Sequence, residues 1–197
     1  MDVAIVKYNA GNIFSVVNAF KRLGIEPILT SDPAVLQRAS HVVFPGQGEA
    51  GNTMSYLRST GLDKVIKSLQ QPFLGICIGM QLMCRYSEEN DTDCLGIFDV
   101  DVKRFNPSVH SEKVPQMGWN SLHQLQSTLF NDIKEGDYTY FIHSFYVPKC
   151  DFTIATTDYI LPYSSALRKD NYYATQFHPE KSGKIGEQIL KNFLLND

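Results

Sequence analysis

Hydrophobic positions follow two regimes along the chain. In the first half, short apolar runs alternate with segments of helical spacing. Asp2–Lys7 reads as a strand, and Ile13–Leu23 places Phe14, Val17, Phe20 and Leu23 along one helical face, with Gly24 where a helix stops. Glu26–Leu29 is a short strand, and Ser31-Asp32-Pro33 opens a helix with a capping side chain before a first-turn proline. His41–Phe44 is a strand, Pro45–Gly51 a glycine-rich loop, and Thr53–Leu57 and Leu62–Leu69 are helical. Phe73–Ile76 is a strand, and Met80–Arg85 begins another helix. Continuously apolar strands separated by helices predict an α/β fold with a mostly parallel central sheet flanked by helices. Functional groups in such sheets collect beyond the carboxyl ends of the strands. The loops placed there are Tyr8–Asn12, Pro45–Gly48 and Cys77–Gly79.

The second half reads differently. Asp99–Arg104, Tyr138–Ile142, Phe152–Thr157, Ser165–Arg168 and Tyr172–Phe177 are strand-like, several with apolar–polar alternation. They predict additional antiparallel strands in the C-terminal half, on the same sheet or a small second one. Lys184–Leu195 is an amphipathic helix, with Ile185, Ile189 and Phe193 on one side and Gln188 and Lys191 on the other. No repeat, linker or low-complexity segment interrupts the pattern, so residues 1–197 read as a single domain.

Composition narrows the classes. Hydrophobic residues are 43% of the chain and the net charge is −3, with no block of Lys and Arg, which argues against a nucleic-acid partner. No apolar run reaches the roughly 18 residues that span a bilayer. The opening "MDVAIVKY" reads as a strand, not a signal peptide, so the expected address is the cytoplasm. The four cysteines, Cys77, Cys84, Cys94 and Cys150, are then expected to be reduced. No C-x-x-C or Cys/His cluster has zinc spacing, and neither a metal nor a cofactor is expected.

One turn carries chemistry. "LGICIGMQ" (residues 74–81) places Cys77 between two glycines, with a strand before it and a helical pattern after. Gly-x-Cys-x-Gly is the cysteine form of a nucleophile elbow: glycines relieve crowding, and a helix N-terminus favours thiolate. The N–H of Ile78 points into the same space and can serve an oxyanion. The turn alone is equally consistent with a small buried hydrophobe. Cys84 reads as core, while Cys94 and Cys150 have no supporting context.

A nucleophile needs a base. Of five histidines, His41 begins a strand, His110 and His123 lie in polar loops, and His143 ends a strand-like run. His178, in "TQFHPEKS", follows a strand and precedes Pro179 and Glu180. Residues i and i+2 of an extended chain share a side, so Glu180 can hold one imidazole nitrogen while the other faces the nucleophile. A strand-end histidine beside a solvated glutamate is the alternative. A second strand-end group, the Cys77 elbow, favours the chemical reading of both.

"GICIGMQ" and "FHPEKS" together resemble the two catalytic motifs of class I (triad-type) glutamine amidotransferases. "YNAGN", "FPGQGEAG", "VPQMGWN" and "YFIHSFY" narrow the resemblance to the glutaminase subunits of imidazole glycerol phosphate synthase, from Val3 to the last helix. The resemblance implies a Cys77, His178, Glu180 triad that hydrolyses glutamine through a glutamyl thioester. It implies oxyanion donors at Ile78 and Gly48 and substrate contacts at Gly46, Gln81, Ser144 and Phe145. It also implies a heterodimer with a (β/α)8-barrel cyclase that receives the ammonia, docked around Asn12, Met117, Gly118, Trp119, Asn120 and Lys181. A core position is the alternative for Trp119.

The chain departs from the family pattern in three places. Asn9 replaces a glycine, Gln47 stands in the Pro45–Gly48 loop, and Ile78 follows the cysteine where leucine is common. None removes a catalytic side chain. Another ammonia-channelling glutaminase, that of pyridoxal phosphate synthase, is the alternative enzyme, but Gly46-Gln47-Gly48-Glu49 is not its Gly-Gly-Glu-Ser stretch. A non-catalytic scaffold would normally have lost one of the three triad residues.

Overall fold

A computed structural model describes residues 2–8, 13–46, 48–107 and 112–195. The chain runs β1 (Val3–Val6), α1 (Phe14–Arg22), β2 (Ile28–Thr30), α2 (Pro33–Arg38), β3 (His41–Phe44), α3 (Ala50–Thr60), α4 (Leu62–Ser68) and β4 (Phe73–Ile76). It continues with α5 (Ile78–Met83), β5 (Cys84–Ser87), β6 (Thr92–Asp93), β7 (Phe98–Arg104), β8 (Gln116–Ser121), β9 (Tyr138–His143) and β10 (Phe145–Tyr146). It closes with β11 (Thr153–Asp158), β12 (Pro162–Lys169), β13 (Tyr172–Thr175) and α6 (Gly183–Leu194).

A seven-stranded sheet in the order β11-β12-β13-β4-β3-β1-β2 forms the centre. Strands β2, β1, β3, β4 and β13 are parallel, while β11 and β12 add antiparallel strands at one side. The apolar strands are buried on both faces, as their continuous patterns require. Ala4, Val6, Val42, Phe44 and Phe73 face α2–α5, whereas Val3, Ile5, Val43, Leu74 and Ile76 face α1 and α6. The later strands also form a four-stranded sheet, β10-β7-β5-β6, and the β8–β9 hairpin. Both options for the second half are therefore used. No helix of the described residues is long and apolar enough to cross a membrane.

Several local expectations shift. Asp32 caps α2 as expected, accepting from Ala34 N–H at 2.8 Å. Helix α3 begins earlier, at Ala50, because the Glu49 side chain accepts from Gly51 and Asn52. Glutamate is not a favoured capping residue, so no start signal stands there in the sequence. Strand β2 starts at Ile28, one residue after Pro27, which has no N–H to donate. The expected helix over Met80–Arg85 ends at Met83. From Cys84 the chain is extended and pairs with β6 and β7, a tertiary choice that no breaker residue announces. Phe14 leaves the core face of α1. It is 74% exposed, and the buried stripe is Val16, Ala19 and Phe20. Two neighbouring stripes of this helix are almost equally apolar, and packing against the sheet selects one.

Candidate active site

The parallel order brings the two reactive motifs together. Strands β4 and β13 are neighbours, with Ile76 opposite Thr175, so both chains leave the sheet at the same end. Cys77 follows β4 immediately, and its N–H donates to Thr175 O at 2.7 Å. Its backbone sits at φ 53°, ψ −109°, an uncommon conformation for a residue with a side chain, and it lifts the sulfur out of the sheet.

The flanking glycines are required by contact. A Cβ at Gly75 would lie 2.5 Å from Met83 Sδ and 2.9 Å from Gly79 O. One at Gly79 would lie 2.4 Å from Phe44 O. Gly46 is tighter still: its Cβ would fall 1.9 Å from Ile76 O and 2.6 Å from Ile78 N. Gly46 thus rests directly on the elbow, and Tyr8 Oη donates to Pro45 O at 2.6 Å beside it. Gly48 has φ 154°, glycine territory. Ile78 opens α5, so its N–H has no carbonyl one turn back within the helix. Helix α5 has six residues, so its dipole is small and the expected macrodipole help for a thiolate shrinks accordingly.

His178 and Glu180 form a buried pair, with Nδ1 2.7 Å from Glu180 Oε1. The expected extended geometry is replaced by a 3-10 turn over Pro179–Lys181, which swings Glu180 back under the ring. The His178 carbonyl accepts from Ser182 Oγ at 2.6 Å, which fixes the turn. His178 Nε2 is buried and has no hydrogen-bond partner among the described residues. Burial works to lower the His178 pKa, but a Cys77 thiolate beside it, together with Glu180, outweighs burial and raises it to about 10.

Cys77 and His178 open into a cleft of about 390 Å³, whose walls also include Gly46, Gly48, Ile78, Gln81, Ser144, Phe145 and Lys181. Thus the expected oxyanion and substrate positions share one cavity with Cys77 and His178, while Glu180 is buried against the His178 ring and does not line it. Gln81 Nε2 donates to Phe145 O at 3.1 Å and to Gln176 Oε1 at 2.9 Å, which leaves its Oε1 for a ligand. Among the polar residues at or behind the cleft, Glu89 and Gln176 were not singled out from the sequence. Glu89 lies on the wall and accepts from Ala50 N–H at 2.8 Å; burial raises its pKa above the ordinary carboxylate range, against the pull of that N–H. Gln176 is fully buried, with Nε2 3.6 Å from Cys77 Sγ. Glu89 stands in a polar run with no motif around it, so nothing local marks it. Gln176 stands two residues before His178 and was within reach.

The other histidines differ. His41 is buried against the Phe193 ring, His123 pairs with Ser121 at 2.9 Å, and His110 lies outside the described residues. His143 ends β9, with Nδ1 2.6 Å from Phe145 O and Nε2 3.2 Å from Tyr163 Oη. Burial first, then the nearby His178 charge, lowers its pKa to about 4, against the Phe145 bond. Between pH 4 and the unfolded value of 6.5 the unfolded chain holds a proton that the native chain lacks. Stability therefore rises with pH across that window, by on the order of 3 kcal/mol. His178 acts oppositely: its contribution is full below 6.5 and is lost as pH climbs through about 10. Thermal melts at fixed ionic strength are expected to peak near neutrality, with His143→Gln flattening the limb between pH 6.5 and 4. An unchanged acid limb in that variant would sink the assignment.

The expected docking residues lie on the β8–β9 hairpin and the turn after His178. Met117 and Trp119 are 62% and 55% exposed, which removes the core alternative for Trp119. Tyr138, on the same hairpin, is another large exposed hydrophobic residue, and Asn120 Nδ2 donates to Asp158 O at 2.8 Å. Asn12 and Gln47 lie outside the described residues.

The family model for glutamine amidotransferase class-I matches residues 6–196. The chain belongs to that family. This amidotransferase is 64% identical over 194 residues to the imidazole glycerol phosphate synthase subunit HisH of Bacteroides thetaiotaomicron, covering 98% of this chain and 99% of that protein. It is 44% identical over 196 residues to the HisH protein of Yersinia pseudotuberculosis, again covering 98% and 99%. Solved structures share the class I amidotransferase fold. A putative GMP synthase protein from Thermoplasma acidophilum superposes with TM-score 0.75 at 20% identity, over 98% of this chain and 92% of that one. PurLQS from Thermotoga maritima does so with TM-score 0.73 at 15% identity, over 98% and 97%.

Proposed function

We propose that this amidotransferase, as a single catalytic domain, is the glutaminase subunit of a cytoplasmic imidazole glycerol phosphate synthase in histidine biosynthesis. The observation that carries the chemistry is His178, held from behind by the buried Glu180, lining the same cleft as Cys77. The Cys77 thiolate attacks the side-chain amide carbon of glutamine, and the carbonyl electrons move onto oxygen. The N–H groups of Ile78 and Gly48 stabilise that oxyanion. His178 gives its proton to the departing ammonia, and a glutamyl thioester remains. His178 then takes a proton from water, the hydroxide displaces sulfur, and glutamate leaves. Glu180 keeps the ring oriented and offsets its charge.

The cleft also suits the amino-acid end of glutamine. In this reading the Glu89 carboxylate and Gln81 Oε1 meet the ammonium, and Gly46, Ser144 and Phe145 of the same cleft supply backbone groups. The Phe145 carbonyl is already filled by Gln81 and His143, so its contribution is the position it gives to Gln81.

Ammonia released to water is protonated and lost as a nucleophile, so the reaction is useful when coupled to an acceptor. The relatives named above are parts of a synthase, which supports a partner chain. The proposed partner is a (β/α)8-barrel cyclase forming a heterodimer on the face that includes Met117, Gly118, Trp119, Asn120 and Lys181; the remaining expected contact, Asn12, lies outside the described residues. Its products are imidazole glycerol phosphate and aminoimidazole carboxamide ribotide. Exposed aromatic and Met side chains suit such a face.

A glutamine analogue bearing a diazoketone in place of the amide is expected to label Cys77 alone, read by peptide mass spectrometry, with excess glutamine protecting. Labelling at other cysteines, or none, would overturn the nucleophile assignment.

A further inference from the structure

One buried polar side chain outside the triad touches the reacting sulfur. Gln176 follows β13, and its backbone N–H donates to Ser165 O at 2.9 Å, which sets the side chain under the elbow. Its Nε2 donates to Cys77 Sγ at 3.6 Å, and its Oε1 accepts from Gln81 Nε2 at 2.9 Å. The sulfur also faces the Ile142 carbonyl at 3.7 Å. A thiol can donate to that carbonyl. A thiolate cannot, and it then meets the negative end of the C=O dipole. The Gln176 N–H is the contact that strengthens on ionisation, since a donor to an anion binds more tightly than a donor to a neutral thiol.

We propose that Gln176 is a catalytic residue of the glutaminase reaction, whose Nε2–H stabilises the Cys77 thiolate against the Ile142 carbonyl while its Oε1 fixes Gln81 beside the substrate. The proposal rests on the reading of Cys77 as nucleophile. When His178 accepts the thiol proton, the S–H bond to Ile142 O is lost and the N–H bond from Gln176 offsets it. The amide carries no charge at any working pH, so it serves the anion without a proton of its own to lose. Complete burial keeps water from replacing it and strengthens the bond. One side chain thereby couples the nucleophile to the wall that receives the amino-acid end of glutamine.

Two variants separate this from simple packing. Gln176→Glu keeps the size and the acceptor toward Gln81 but removes the donor. Gln176→Met keeps the length and removes both polar groups. With the full-length chain, iodoacetamide alkylation of each cysteine is followed by peptide mass spectrometry across pH, with melting curves to confirm folding. Native Cys77 is expected to react faster than Cys94 and Cys150. In Gln176→Met the Cys77 rate at neutral pH is expected to fall about tenfold, with the deficit shrinking at high pH as the thiol ionises fully. Gln176→Glu is expected to be slower still, and it carries the test alone if the methionine variant unfolds. Native reactivity in the folded variants, or a deficit equal at every pH, overturns the proposal. A native Cys77 no more reactive than Cys94 and Cys150 overturns the nucleophile reading itself, and this proposal with it.

Discussion

Cys77→Ala is expected to abolish glutamine-dependent synthesis by the complex with the proposed cyclase partner, by about four orders of magnitude or more, while synthesis from ammonium salts continues. In the proposed mechanism the sulfur is the group that attacks, and nothing beside it can take its place. Ser144 shares the cleft, but His178 is aligned by the 3-10 turn after β13 toward the elbow that follows β4. The expected loss is therefore in turnover, not in glutamine binding, which in the proposed reading depends on Gln81, Glu89 and backbone groups that the substitution leaves in place. Ammonia bypasses this chain entirely and reaches the acceptor directly. Coupled assays of the purified complex, with glutamine and with ammonium chloride in parallel, give the result. Retained glutamine-dependent activity would remove Cys77 from the mechanism.

Gly46→Ala has the second largest expected effect. The added Cβ would stand 1.9 Å from Ile76 O and 2.6 Å from Ile78 N. Both are backbone atoms of the elbow and its strand, so no side-chain rotation relieves the clash. The loop must lift, although Tyr8 anchors it at Pro45 and Glu49 caps the helix beyond it. Lifting withdraws the Gly48 donor from the oxyanion and crowds the Ile78 donor. Each oxyanion donor contributes about 100- to 1,000-fold in rate, so the glutamine-dependent kcat is expected to fall by at least about 100-fold. Overpacking costs about 1–3 kcal/mol of stability, small enough for the variant to remain folded and to keep its ammonia-dependent synthesis in complex. Unchanged kcat in a folded variant would show that the loop does not depend on its contact with the elbow.

Much of the site was legible because its chemistry depends on residue identity at short spacing. Gly75, Cys77 and Gly79 state the elbow, and His178 and Glu180 state the buried pair proposed as base and orienter. The parallel strands were legible because burial on both faces demands runs such as "VAIV" and "HVVF". What escaped depends on partners far away in sequence. Cys84–Ser87 leaves the helical pattern only because β6 and β7 are there to pair with it. Gln116–Ser121 becomes a strand only against Tyr138–His143. Phe14 looks like a core residue until the sheet chooses the neighbouring stripe of α1. Glu89 reaches the cleft through a loop tied to Ala50, a contact that no local pattern encodes.

The pairing of β4 with β13 also sets the order in which the proposed nucleophile and base come together. Cys77 and His178 are brought together by a parallel ladder between segments about a hundred residues apart, and such long loops close late in folding. A chain still emerging from the ribosome and lacking Tyr172–Thr175 holds the cysteine but not its base. In the proposed mechanism the nucleophile therefore meets its base only in the completed sheet, and a nascent or truncated chain lacking that pairing carries the cysteine without it.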